Sequence, residues 1–245
     1  MKKTLWKYLV FFLVTGFFGT FILLVAALGY GWKTYQEERI QPIDYSHQIH
    51  VQKNNMKCTQ CHLNVDRGPQ ATVPPVSICM KCHKTVKTDS PKIQKLTRYW
   101  KQGLPVPWKK VHVIPRPGMV HFTHKRHVKF FMPRHLADEF EKQGVPRKVA
   151  EILGATFGKR VTKKYDPAEV QAVLLSQGVS LEEAKKIAQK WNTIQNKSLK
   201  ATCYACHGMV EYMKTPRKMA PLKMGWCVTC HVKYQGPRDC TTCHQ

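Results

Sequence analysis

All ten cysteines of this chain fall into five pairs of one spacing: Cys58/Cys61, Cys79/Cys82, Cys203/Cys206, Cys227/Cys230 and Cys240/Cys243. A histidine follows each pair at once, at His62, His83, His207, His231 and His244. Cys-x-x-Cys-His is the attachment signature of c-type haem. Its two thiols add to two vinyl groups on one porphyrin edge, and the next residue is carried under the ring as proximal ligand to iron. Zinc sites and redox dithiols also use Cys-x-x-Cys, and exported chains pair cysteines as disulfides. None of these needs a histidine after every pair. With 12 histidines in 245 residues, five such coincidences have odds on the order of 1 in 10⁶. The pattern implies five covalently bound haems c, with no cysteine left over.

Six-coordinate iron needs a second axial ligand, and seven histidines lie outside the motifs. Two clusters share the pattern aromatic-x-His-x-x-His: Tyr45-Ser46-His47-Gln48-Ile49-His50 and Phe122-Thr123-His124-Lys125-Arg126-His127. Residues three apart share a helix face, so splayed side chains can serve two neighbouring haems. His47, His50, His124 and His127 are therefore expected as distal ligands. His112, in Val111-His112-Val113, is the fifth choice, in competition with Met224 of Met224-Gly225-Trp226-Cys227. A thioether ligand raises the reduction potential relative to bis-histidine, but a methionine beside a tryptophan is more often packing. His135 reads as a surface or satisfied core residue on an amphipathic helix, and His121 is assigned neither way.

The elements that position these groups begin with an uncharged apolar run, Leu9 to Leu28, of 20 residues. That length just crosses a bilayer core as a helix. Lys2, Lys3 and Lys7 precede it, which by the positive-inside rule holds the N-terminus in the cytoplasm and the rest of the chain outside. A cleaved signal peptide is the competing reading, with Ala27-Leu28-Gly29 as a tolerable cleavage site, although the run exceeds the usual signal core. The remainder is polar and poor in strand patterns. The expected fold is mainly α with much coil, with short helices at the motifs and haem supplying much of the buried apolar surface. Loops are expected at Arg67-Gly68-Pro69 and Pro115-Arg116-Pro117-Gly118. The divisions are residues 1–30 as anchor, 31–128 as first haem unit and linker, 129–198 as helical insert, and 199–245 as second haem unit with the fifth motif.

The two histidine clusters expose an internal repeat. Each precedes two Cys-x-x-Cys-His motifs, 21 residues apart in the first unit and 24 in the second, and the Cys240 motif is a C-terminal addition. The aromatic-Ser-His-x-x-His before a haem motif resembles class III, c7-type multihaem cytochromes. The whole arrangement is closer still to the pentahaem subunits of alternative complex III, and to the multihaem subunits of the related periplasmic quinone reductases. The resemblance runs through the anchor, His47/His50, Pro107-Trp108-Lys109-Lys110-Val111-His112, the second cluster, Met224-Gly225-Trp226-Cys227 and the last motif. It implies partners that a single-span chain cannot replace: a polytopic quinone-binding subunit, an iron–sulfur/molybdopterin-like subunit, and a soluble periplasmic electron carrier.

The departure from the repeat lies between His127 and Cys203. Seven residues separate cluster from motif in the first unit and 75 in the second. The surplus reads as helices at Pro133–Lys142 and Pro146–Leu153, one opened by Asp166-Pro167 and stopped at Gly178, and one opened by the Ser180-x-x-Glu183 capping box and running to about Gln195. It contains no cysteine. A surface for a partner subunit and a lid over the second haem group are both open readings.

The formal charge is +25, and ten haem propionates would lower it to about +15. A basic exterior suits anionic lipid or an acidic redox partner. Nucleic acid is excluded by an external location. Electron transfer at the outer face of a bacterial cytoplasmic membrane, between a quinone-linked complex and periplasmic carriers, is the function expected. A stand-alone anchor cytochrome feeding a periplasmic reductase is the alternative. An enzyme acting alone would need a vacant iron site, whereas every motif supplies a proximal histidine and enough distal candidates exist to fill each iron.

Overall fold

A computed structural model describes residues 2–114 and 119–244, with the side chains of 2–4 and 33–39 excepted. The linker expected at Pro115–Gly118 and the side chains of Lys2 and Lys3 lie outside it. The chain falls into two compact units: Met1–Asp44 with Pro107–Lys109, and Tyr45–Val106 with Lys110–Gln245.

The first unit is built on helix α1, Lys2–Arg39. Its stretch Leu5–Trp32 is long and apolar enough to cross a membrane, and none of it is buried against protein. Its apolar side chains are exposed on all sides, from Leu5 to Trp32. A signal sequence near an N-terminus shares this length and composition. Beyond α1, Gln41 and Lys109 close a reciprocal pair: Gln41 Nε2 donates to the Lys109 carbonyl (2.9 Å) and the Lys109 amide donates to Gln41 Oε1 (3.0 Å).

The second unit is helical, and among its described residues the β geometry is one isolated antiparallel bridge, Val120 with His244. The first histidine pair opens a π-helical turn, Gln48–Lys53, and the first motif begins on a 3₁₀ turn, Cys58–Gln60. Helix α2 (Val76–His83) carries the second motif and packs on α3 (Pro91–Lys101). Then come α4 (His124–Glu141), α5 (Arg147–Phe157), α6 (Pro167–Ser176), α7 (Leu181–Gln189) and α8 (Trp191–His207). Helix α9 (Met224–Lys233) and the single turn α10 (Cys240–Cys243) hold the last two motifs.

The cap signals act as expected. Asp166 accepts from the Ala168 amide (2.8 Å), Pro167 stands at the first helical position, and Gly178 closes the segment at φ +80°. Ser180 Oγ accepts from the Glu183 amide (3.3 Å). Three boundaries differ from expectation, the first being the end of α5, which runs past Leu153 to Phe157 as its buried face continues through Gly154 and Phe157. The helix expected to start at Pro133 starts at His124, and Pro133 lies inside it. Val128, Met132, Leu136 and Phe140, four residues apart, are all buried, and that continuous apolar stripe outweighs the proline's missing N–H. The helix expected to reach Gln195 breaks at Lys190, and α8 then continues to His207. The break turns Trp191, 1% exposed, into the core against Phe140, Phe157 and Tyr165.

The core therefore has a location that the sequence does not reveal. Phe140, Met132, Leu136, Leu153 and Leu174 are fully buried, each worth about 1.5–3 kcal/mol on transfer from water. Nearly all of this cluster lies between Val128 and Leu199, with Val65 contributed from the first haem unit. The protein core expected to be thin is thin around the motifs and substantial in the insert. Helix α4 packs on α5 and α8. At the first of these contacts a Cβ on Gly154 would lie 2.2 Å from the Pro133 carbonyl oxygen, so only glycine permits that approach.

Candidate haem-binding sites

The cysteines form no disulfide, and protein covers the ten thiols unequally. Eight are partly buried: Cys58, Cys61, Cys79, Cys203, Cys206, Cys227, Cys230 and Cys243. Cys82 and Cys240 are exposed, although the sequence reads both as cofactor-binding residues, which would ordinarily be enclosed. The reason at Cys82 is its place on α2. Val76 and Met80, four residues apart, are the buried face of that helix. Two residues beyond Met80, about 200° further round at 3.6 residues per turn, Cys82 lies on the opposite, open face. Protein alone therefore does not enclose the second motif, and at Cys82 a bound porphyrin would be the covering surface. Cys240 opens the single turn α10, which contains no buried residue.

The histidines are prepared for metal by their ring nitrogens. Nδ1 of His62 meets the Thr72 carbonyl (2.6 Å), His83 that of Val86 (3.0 Å), and His231 that of Pro237. Outside the motifs, His50 Nδ1 meets the Ser46 carbonyl, His127 that of Thr123 and His124 that of Pro69, each at 2.8 Å. A carbonyl can only accept, so Nδ1 bears the proton in all six. Nε2 is left with the lone pair that binds metal, the usual carbonyl-tied arrangement of a ligating histidine.

The repeat read in the sequence is also a repeat of geometry. Tyr45 meets the His47 ring edge-on at 4.9 Å and 87°, and stacks on His50 at 4.5 Å and 21°. Phe122 meets His124 at 4.9 Å and 88°, and stacks on His127 at 4.5 Å and 28°. In both clusters the second histidine bonds back to the carbonyl four residues earlier. The aromatic ring wedges the two imidazoles apart, so that one points each way.

Three histidine pairs stand at matching separations. Ring centroids are 6.0 Å apart for His50 and His83, 6.1 Å for His127 and His231, and 6.3 Å for His124 and His207. Two imidazoles on opposite sides of one metal, with bonds of about 2 Å each, place their centroids roughly 6 Å apart. These separations fit a bis-histidine iron. His47 lies beside His62 and is pushed down to about 4 by burial, with the His62 and His50 charges adding to the shift. His207 is likewise lowered to about 4, by burial and then by His112 and His124. Both are neutral at physiological pH, the form that ligates.

His112 comes to His207, with centroids 4.3 Å apart, and its Nε2 is buried without a hydrogen-bond partner. Met224 is the first residue of α9 and is 69% exposed. His135 donates to Thr202 Oγ1 (2.9 Å), whose own hydrogen goes to the Ser198 carbonyl. His121, unassigned by sequence, pairs its backbone with the fifth motif: its amide donates to the Cys243 carbonyl (2.8 Å). Its one sequence signal is the cluster it belongs to.

The motifs adjoin one another in an order different from that of the chain. Cys61 is raised by burial and next by Cys79. The thiols of Cys58 and Cys203 perturb one another, lowering Cys58 and raising Cys203. Cys206 feels Cys230 and Cys227, and Cys227 feels Cys243. Neighbouring motifs are thus second with first, first with third, third with fourth, and fourth with fifth, and Thr242 of the fifth also lines a cleft with Arg67–Pro69 beside the first.

The insert is woven through these motifs. Helix α4 begins at His124, and α8 ends in the third motif. The amides of His124 and Lys125 donate to the Pro69 and Gly68 carbonyls of the first haem unit. In the other direction, the Gln48 amide donates to the Met213 carbonyl of the second. Lys57, next to Cys58, donates to Asn192 and Gln195 of α8. Buried Asp66 accepts from the Thr162 amide and hydroxyl.

Comparison with known proteins agrees with this chemistry. Residues 43–98 match the family "Cytochrome c7 and related cytochrome c". Over 112 residues the chain is 34% identical to the menaquinone reductase, multiheme cytochrome c subunit, of Nitratidesulfovibrio vulgaris (strain Hildenborough). The alignment covers 44% of this chain and 52% of that protein, so the chain spans about half the length of the relative.

Proposed function

We propose that this chain, a multihaem cytochrome c with a c7-like first unit, carries five covalent haems and conducts electrons between a quinone-linked membrane complex and a periplasmic carrier. The observation that carries the reading is the set of three histidine pairs at iron-spanning distance, His50/His83, His124/His207 and His127/His231, each joining a cluster to a motif. Bound haem supplies one-electron iron chemistry. The residues' part is to hold and orient. Each cysteine pair would hold one haem by thioether links, and His62, His83, His207, His231 and His244 would supply each motif's own iron ligand. His50, His127 and His124 face His83, His231 and His207, and His47 is left to His62. Carbonyl bonds at Nδ1 hold these rings in one orientation and raise their basicity. Little reorganisation on electron transfer is the consequence.

The anchor is α1, retained in the cytoplasmic membrane with the haem units on the periplasmic side. Quinone chemistry belongs to a polytopic subunit and an iron–sulfur/molybdopterin-like subunit, because one helix cannot enclose a quinone. The similarity to a menaquinone reductase subunit supports that assignment.

The test is isolation from the native membrane in mild detergent, with mass spectrometry of whatever accompanies the chain and an intact mass for haem count. Co-purification with polytopic and iron–sulfur subunits, and a mass of five haems, is expected. A lone cytochrome, or one bound to a soluble reductase, overturns the complex reading in favour of a stand-alone anchor cytochrome.

A further inference from the structure

Charge is distributed very unevenly along the chain. Between Arg67 and Arg134 there are fifteen lysines and arginines against one acid, Asp89, whereas nine of the fifteen acids lie between Asp138 and Glu211. The cations of the basic stretch concentrate on α2, α3 and the chain that follows. Lys81, Lys84, Lys87, Arg98 and Lys101 are all exposed. Helix α3 contains no acidic residue, buries Leu96 and leaves Trp100 (41%) exposed, and Leu104, three residues beyond its end, is exposed as well (52%). Lys84 Nζ stands 5.6 Å from the centre of the Trp100 ring. Basic side chains around an exposed tryptophan are the composition of a membrane–water interface, where indole sits at headgroup level and lysine and arginine meet lipid phosphate. Five residues, 102–106, separate α3 from Pro107–Lys109, which pack with the segment following the apolar helix.

We infer that α3 and the residues up to Leu104 are a membrane-surface face whose ligand is the anionic phospholipid headgroup. The inference rests on the anchor reading of α1. Charge complementarity argues for the occupant: a surface of cations interrupted by one acid, with aromatic and apolar side chains between them, matches a phosphate layer over hydrocarbon. The consequence is one of placement. Helix α3 packs on α2, which carries the second motif. The second motif is then the one whose helix adjoins the lipid-facing helix.

Haem attachment consumes all ten native thiols, so a single new cysteine is uniquely reactive. The full-length holoprotein carrying Gln102→Cys is placed in nanodiscs of phosphatidylcholine, or of phosphatidylcholine with phosphatidylglycerol, and labelled with a membrane-impermeant maleimide. Labelling is expected to slow about fivefold in the anionic discs and to recover with added salt, as a screened electrostatic contact does. Lys185→Cys on α7 is expected to label equally in both. Adding Arg98→Gln and Lys101→Gln to the Gln102→Cys chain is expected to abolish the difference, with the Soret band reporting an intact fold. Equal labelling of Gln102→Cys in the two lipids overturns the inference. Protection in both lipids that appears when the native partner subunits are present overturns it in favour of a protein-binding face. A chain that does not enter nanodiscs at all overturns the anchor reading, an outcome distinct from equal labelling within them.

Discussion

His112 holds its ring 4.3 Å from that of His207, closer than two imidazoles can stand with an iron between them. His124, 6.3 Å from His207 and nearly parallel to it, has the separation that coordination requires. His124→Ala is therefore expected to convert one haem from low-spin to high-spin, read by electron paramagnetic resonance of the oxidised protein. His112→Ala is expected to leave the low-spin count of the third haem unchanged. The reverse pattern would make His112 the ligand and His124 its neighbour.

The close approach of Gly154 to Pro133 makes a stability prediction. A methyl group there would stand 2.2 Å from a backbone oxygen, which no side-chain adjustment relieves. Gly154→Ala is expected to destabilise the insert by about 1–3 kcal/mol, the usual cost of overpacking. Denaturant unfolding followed through Trp191 environment or far-ultraviolet dichroism measures it, and an unchanged midpoint would remove the contact from the account.

Asp66 joins the first haem unit to the insert through Thr162, with its side chain 1% exposed and Arg67 Nε at 3.9 Å. Asp66→Ala deserts a buried amide and hydroxyl, and is expected to cost about 1–3 kcal/mol. Thr162→Val keeps the amide bond and is expected to cost less. Equal losses in the two variants would show that the hydroxyl, not the amide, makes the connection.

His135 gives a pH dependence. Burial lowers its pKa, against the opposing pull of Asp138. The folded value lies below the unfolded one, so the unfolded chain takes up the proton first as pH falls. The stability associated with the neutral ring is complete above roughly pH 6.5 and is lost as pH drops through the folded value. His135→Gln is expected to flatten that part of a stability profile taken from about pH 7 to pH 5. A profile as steep as the parent's would assign the slope to other groups.

The attachment chemistry is legible in the sequence because spacing alone carries it: a cysteine pair and the next histidine are local, and no fold is needed to bring them together. The cluster repeat is legible for the same reason, and its near-identical ring geometry in Tyr45/His50 and Phe122/His127 follows from local backbone bonds. Pairing across the chain is not legible. Whether His112 meets His207 depends on how α8 is held, and no periodicity encodes that. Nor does a motif say how deeply its thiols are set: Cys79 is partly buried and Cys82 exposed, a difference that comes from which face of α2 packs. The insert differs at its ends because Pro133 carries a helix-start signal by itself, whereas the four-residue spacing of Val128, Met132, Leu136 and Phe140 runs straight through it. Trp191 as centre of a core needs the turn at Lys190, which no glycine or proline announces.

The location of the core bears on how the protein is made. A chain that depended on haem for all of its buried surface would reach the attachment machinery wholly unfolded. Here the stretch from Val128 to Leu199 buries its own aromatic residues, Phe140, Phe157 and Trp191, against one another. Its two ends are the His124/His127 turn and the Cys203 motif. A folded nucleus that appears early would bring the two halves of a distant coordination site to their stations in advance. Haem insertion at the third motif would then be a docking event, while at the second, whose helix packs on α3 outside that core, it would be a folding event. Biogenesis of the cytochrome acquires an internal template in this way, and mutations in that cofactor-free segment would be registered first as a deficit of mature haem.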